Sequence, residues 1–198
     1  MFDTISGRLR RGVVVSLSAL LGVMAFSTSA STAAEKSVFF EETAEAFWAV
    51  PHECEDGSIV LATLLVRSTR DFESPDTEDA DPTARVQFQA VCPDGSSFSW
   101  AAPSDPATIT STKNLKSVTA AGTGTARDIF GVSHVVSFDV AWTGVGPLET
   151  TVNGPGSKRK QRAATATGQV SFDGDVLVDG ANNHPTRPAP FIRVDTEK

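Results

Sequence analysis

The sequence predicts an all-β protein, a single antiparallel β-sandwich of about eight to ten strands, with an open β-barrel as the alternative. Three observations carry that prediction. Apolar and polar residues alternate with period two along most of the chain after its first forty residues, and Gly, Pro and Asp punctuate it at short intervals. No window has the apolar spacing of an amphipathic helix except Glu41 to Trp48, which fits helix and strand equally.

The first element in order is not a strand. Arg8, Arg10 and Arg11 precede an uncharged apolar run of 14 residues, Val13 to Phe26, and small residues follow from Ser27 to Ala34. Basic, apolar, small is the order of a cleavable signal peptide, so residues 1–34 are expected to be removed after Ala33 or Ala34. As a helix the run would reach only about 21 Å, short of the ~30 Å hydrocarbon core, so no membrane span is expected. Arg10-Arg11 keeps twin-arginine export as an alternative to the general route. No Cys stands near the cleavage region and no apolar tail ends the chain, so residues 35–198 are expected to form one exported domain, secreted or extracytoplasmic and free of an anchor.

The strands follow. Ala44–Val50 comes first. Ser58–Val66 is apolar on both parities (Ile59, Leu61, Leu65 against Val60, Ala62, Leu64, Val66), which predicts a central strand covered on both faces. Val86, Phe88, Ala90 and Cys92 share a face opposite Arg85, Gln87 and Gln89, and Ser96–Trp100 repeats the alternation after Pro93-Asp94-Gly95. A strand is expected around Lys116–Ala126; small residues dominate Ser117–Thr125 within it and Ala163–Gly168, and both suit strands facing solvent or packed against bulky aromatics such as Trp100 and Trp142. The clearest strand places Val132, His134, Val136, Phe138, Val140 and Trp142 on one face. Ala163–Phe172 then turns through Asp173-Gly174 into Asp175–Val178, and Phe191–Val194 closes the series.

Charge narrows the function classes. The chain carries 17 Lys+Arg against 24 Asp+Glu, a net of −7, and loss of the leader takes it to −9. That balance opposes sequence-independent nucleic-acid binding, which is mostly phosphate neutralisation. Against it stands one basic run after the turn Asn153-Gly154-Pro155-Gly156: Lys158, Arg159, Lys160 and Arg162, read as a loop able to contact an anionic surface polymer.

Other candidate sites have structural readings. Cys54-Glu55-Asp56-Gly57-Ser58 and Cys92-Pro93-Asp94-Gly95-Ser96 repeat one pattern in which a strand ends at Cys and turns through Asp-Gly. Two thiols without further ligands do not close a zinc site, and export favours oxidation, so a structural Cys54–Cys92 disulfide is expected. The acidic segment Asp71 to Asp81 invites calcium but lacks the EF-hand spacing, and reads as a solvated connection. Asp173, Asp175 and Asp179 are a weaker version of the same idea. His52, His134 and His184 accompany no nucleophile elbow, zinc helix or phosphate-binding Gly loop, so no catalytic residue, metal or cofactor is assigned.

Phe138–Leu148, followed after a polar loop by Arg162–Val170, is similar to a loose group of secreted bacterial β-rich proteins without an assigned function. The similarity spans about residues 115–172 and implies export and a β fold; it carries no functional residue. The expected function is therefore a non-enzymatic secreted binding or surface-interaction module, with a small secreted hydrolase or inhibitor on the same scaffold as the alternative.

Overall fold

A computed structural model describes residues 38–74, 82–104, 106–128 and 131–197. The expected signal peptide and most of the acidic segment, residues 75–81, lie outside the described residues. In β1 (Val38–Glu53) the side chains of Ala44, Ala46, Trp48 and Val50 are buried while Glu45, Phe47 and Ala49 face outward. The stretch that fits helix and strand equally is therefore strand, since its period-two face is the one the core buries. The chain continues through β2 (Ile59–Ser74), β3 (Thr83–Val91), β4 (Ser97–Ser104), β5 (Thr108–Ser111), a 3-10 turn (Lys113–Leu115), β6 (Ser117–Arg127), β7 (Ser133–Gly154), β8 (Ser157–Phe172), β9 (Asp175–Ala181) and β10 (Phe191–Glu197).

These ten strands form one antiparallel sheet in the order β4-β3-β2-β1-β10-β8-β7-β6-β5, with β9 beside β8. The sheet folds over on itself as a sandwich and is not closed into a barrel. One core draws on both halves: Trp48, Leu64, Val66, Val86 and Phe88 from β1–β3, and Val118, Phe138, Val140, Trp142 and Val170 from β6–β8. The small-residue strands serve this packing. Ala120 and Ala166 are buried, and Val118 and Ala166 flank Trp142 across the ladders. Gly124 lets β6 pass against β4, because a Cβ there would run into the Pro103 carbonyl.

Three expectations need correction. Ser58–Val66 is central in the sheet but fully buried on one face only, the other being half-covered at Thr63 and Leu65 and open at its start. Ala62, Leu64 and Val66 are buried, whereas Ile59 and Leu61 are 73% and 63% exposed. Apolar parity on both sides does not summon a second layer where none packs. Val132 precedes β7 and is exposed, so the buried face begins beyond it, with His134 half-buried and Val136 fully buried. The third correction concerns the polar stretch between Leu148 and Arg162. It is no loop: β7 and β8 continue as a ribbon to the turn at Gly154-Pro155-Gly156, broken by a bulge between Val145 and Glu149.

The ends of β8 have different neighbours, and this positions the site below. Residues 158–163 pair with β10, while residues 167–172 pair with β9. β10 in turn pairs β1 only from Phe39 to Glu45. Beyond it the segment 182–184 bridges the gap: Ala49 N donates to Asn183 Oδ1 at 2.9 Å, Ala166 N to Asn182 Oδ1 at 3.1 Å, and Thr63 Oγ1 meets His184 Nε2 at 2.9 Å. The result is a five-stranded extension, β2-β1-β10-β8-β7, reaching past the main core.

The expected disulfide is present. Cys54 and Cys92 are joined with their Cα atoms 6.0 Å apart, and each opens the same turn. Cys54 N donates to Ser58 O and Cys92 N to Ser96 O, while Asp56 and Asp94 each accept from the backbone and hydroxyl of the Ser two residues on. Those hydrogen bonds hold both carboxyls below the usual carboxylate range. Pro51 does not disturb the register, which runs unbroken from Val50↔Ala62 to Glu53↔Ile59. No helix among the described residues is long and apolar enough to cross a membrane.

Candidate functional site

On the five-stranded extension, strand parity sorts the charges. Lys158, Lys160 and Arg162 share the face of β8 that carries Ala164 and Ala166 into the core; Arg159 points the other way. The four bases therefore lie on a strand, and they divide three to one between its faces. Arg159 Nε donates to Asp195 Oδ1 at 2.7 Å and is committed to the outer face. Among the described residues, Lys158, Lys160 and Arg162 make no ion pair.

The inner row lies between uncharged neighbours. Val152 and Thr150 of β7 stand opposite Lys158 and Lys160, and Thr196, Val194 and Ile192 of β10 stand opposite Lys158, Lys160 and Arg162. Among the described residues of β1, the acid on that face is Glu42, opposite Val194. It is buried and bound to Arg70 Nη2 at 2.8 Å, which also reaches Ser111 Oγ at 2.7 Å. Arg162 closes the inner end of the row. Its aliphatic stem lies against Gly144, where a Cβ would collide with both that stem and the Leu115 carbonyl. Its Nε is buried without an acceptor among the described residues. Gly144 N also donates to Lys116 O at 2.8 Å, so the backbone at the end of the 3-10 turn meets β7 where the Arg162 stem packs. This junction escapes a reading based on sequence runs, because a fold contact and not proximity in the chain makes it.

The outer face of the same extension is acidic. Glu41, Asp71, Asp195 and Glu197 line an open groove of about 410 Å³ with Phe39 and Phe40. Arg193 Nε binds Asp195 Oδ2 at 2.8 Å and Nη2 stands 3.9 Å from Glu41. Partial burial and the charge of Glu41 push the Asp71 carboxyl above its ordinary value. The extension is thus electrically two-faced, basic inside and acidic outside.

The three histidines fall in three different settings. His52 stacks on Phe98, with ring centroids 5.3 Å apart. His184 meets Thr63 Oγ1, and its Nδ1 accepts from Thr186 N at 3.3 Å. His134 stacks on Phe172 between two carboxylates, with Nδ1 2.7 Å from Asp173 Oδ2 and Nε2 3.5 Å from Asp128 Oδ2. Asp173 is itself fixed by accepting from Val135 N. Asp173 therefore serves a contact between β7 and the β8–β9 turn. Among the described residues, no histidine joins both a hydroxyl and a carboxylate.

The hydrogen bond to Asp173, reinforced by Asp128, raises the His134 pKa above its ordinary 6.5 against a smaller opposing effect of desolvation. A raised folded-state value means that this contact stabilises fully below the unfolded value and fades as pH climbs through the folded one. The melting temperature of His134→Gln should accordingly fall further below that of the parent at pH 5.5 than at pH 8.5. A gap that does not change with pH would show that the imidazolium contributes nothing.

The chain matches no family model, no curated protein and no solved structure.

Proposed function

We propose that the protein is an exported, non-enzymatic binding module that contacts an anionic polymer or surface through the inner face of β8. One observation supports this reading above the others: three bases stand in line on one strand face with no ion-pair partner among the described residues, while the fourth is neutralised on the opposite face. Like charges two residues apart on a strand face, about 6.7 Å, repel at a small free-energy cost in water. A polyanion offsets that cost by supplying the missing counter-charge. The net negative charge of the chain opposes such a ligand little, since acids farther from the row than the Debye length, about 8 Å at physiological salt, are largely screened. The Cys54–Cys92 bridge suits an oxidising, extracytoplasmic compartment, which is where such polymers are met.

Charge reversal tests the assignment. The Lys158→Glu/Lys160→Glu double variant should lose at least about tenfold in affinity for immobilised anionic polymers or for vesicles rich in phosphatidylglycerol, and the loss should shrink as salt is added. Arg159→Gln, on the outer face, should bind as the parent does. Equal loss in both variants, or binding that ignores the double reversal, would remove the inner face from consideration.

A further inference from the structure

The geometry points to a linear phosphodiester polymer without bases, a polyol phosphate, lying along β8 with one phosphate at each of Lys158, Lys160 and Arg162. This inference rests on the reading of the inner face given above and adds the class of ligand. Residues two apart on one face of a strand stand roughly 6.7 Å from each other, so the row spans about 13 Å. Cations set in a line at that interval do not converge on a point. A single phosphate ion reaches at most two of them, whereas a chain whose phosphates are separated by a short polyol spacer meets each in turn.

The flanks say what lies between the charges. On both sides the row is bordered by Thr150, Val152, Val194 and Thr196, small or β-branched residues that leave a narrow apolar and hydroxyl-bearing margin. No aromatic ring is among them. Base stacking on aromatic platforms is what single-stranded nucleic-acid binders use, so this margin suits an aliphatic spacer and not a nucleobase. The inner end supplies a second, independent sign. Arg162 is half-buried, its Nε lacks an acceptor and the side chain has no ion-pair partner among the described residues, so the fold supplies its charge with no counter-ion and an anion at that end would.

The experiment is a chain-length series on the mature protein, titrating inorganic phosphate and then glycerol phosphate oligomers of increasing length by calorimetry. Affinity should climb steeply up to three phosphates and then level off, with a slope of log K against log salt of about −2, as expected for three contacts to a single strand. Lys160→Gln should lower the affinity of the three-phosphate oligomer about tenfold and that of inorganic phosphate by a much smaller factor; Arg159→Gln should change neither. Inorganic phosphate binding as tightly as the three-phosphate chain would overturn the inference. So would an oligothymidylate of equal charge binding as well, which would assign the row to nucleic acid. Binding of sulfated or carboxylated polymers with none of the phosphodiester would overturn this inference while leaving the anion-binding face intact. Failure of every anion would remove both.

Discussion

Replacing Trp142 by Ala is expected to lower the unfolding free energy by about 3–5 kcal/mol, the range for deleting a fully buried large aromatic. Trp142 has no exposed surface and lies near the middle of β7, with Phe138 and Val140 on the same buried face. Its cross-strand neighbours make the site slow to relax. Val118 on one side and Ala166 on the other have short side chains that cannot swing into the void, and their strands are fixed by ladders along their length. The loss should therefore sit toward the upper part of the range. Denaturant unfolding of Trp142→Ala measures it directly; stability within about 1 kcal/mol of the parent would mean that the core is organised around a different face.

Removing the disulfide should have a comparable effect by another route. In the Cys54→Ala/Cys92→Ala variant the 38-residue loop is no longer closed in the unfolded chain. Loop entropy assigns that closure about 3.9 kcal/mol, an upper-side figure because residual structure in the unfolded state reduces it. Both Cys are buried at the foot of parallel Asp-Gly-Ser turns, so the loss should also loosen the ends of β1 and β3. Reduction of the parent under native conditions should reproduce the drop. A double variant as stable as the parent would show that the turns alone hold the two strand ends together.

These two effects were the most legible in the sequence, and for the same reason. Trp142 and Cys92 sit on the consistently apolar parity of their runs, which Val91, Val135 and Ala141 interrupt only on the other side, so parity alone placed both on the buried face. Legibility ended where parity was ambiguous or the composition misleading. Ile59, Leu61 and Val91 are apolar yet lie on the open face of the sheet, because whether an outer face is covered depends on layers that a local pattern does not encode. The stretch between Leu148 and Arg162 reads as a loop, since Gly154, Pro155 and Gly156 interrupt it and Lys is a poor strand former. What makes it a ribbon is the pairing of β8 with β7 on one edge and β10 on the other, contacts between residues far apart in the chain. The basic run was therefore visible as charge but not as geometry. Its division between two faces, and the packing of Arg162 at its inner end, follow only once β8 is known to be a strand and Gly144 to pack against the turn after β5.

The division between faces is also what one measurement tests most directly. Thr150 and Val152 stand beside the inner row, opposite Lys160 and Lys158, whereas Thr151 stands opposite Arg159 on the outer face. Methyl NMR spectra recorded while a glycerol phosphate polymer is added should show the Thr150 and Val152 signals moving together and saturably, with the Thr151 methyl nearly still. A Thr151 methyl that moves as far as its neighbours, or perturbations gathered instead at Ile59, Leu61 and Val91, would contradict the account of β8 as the binding strand.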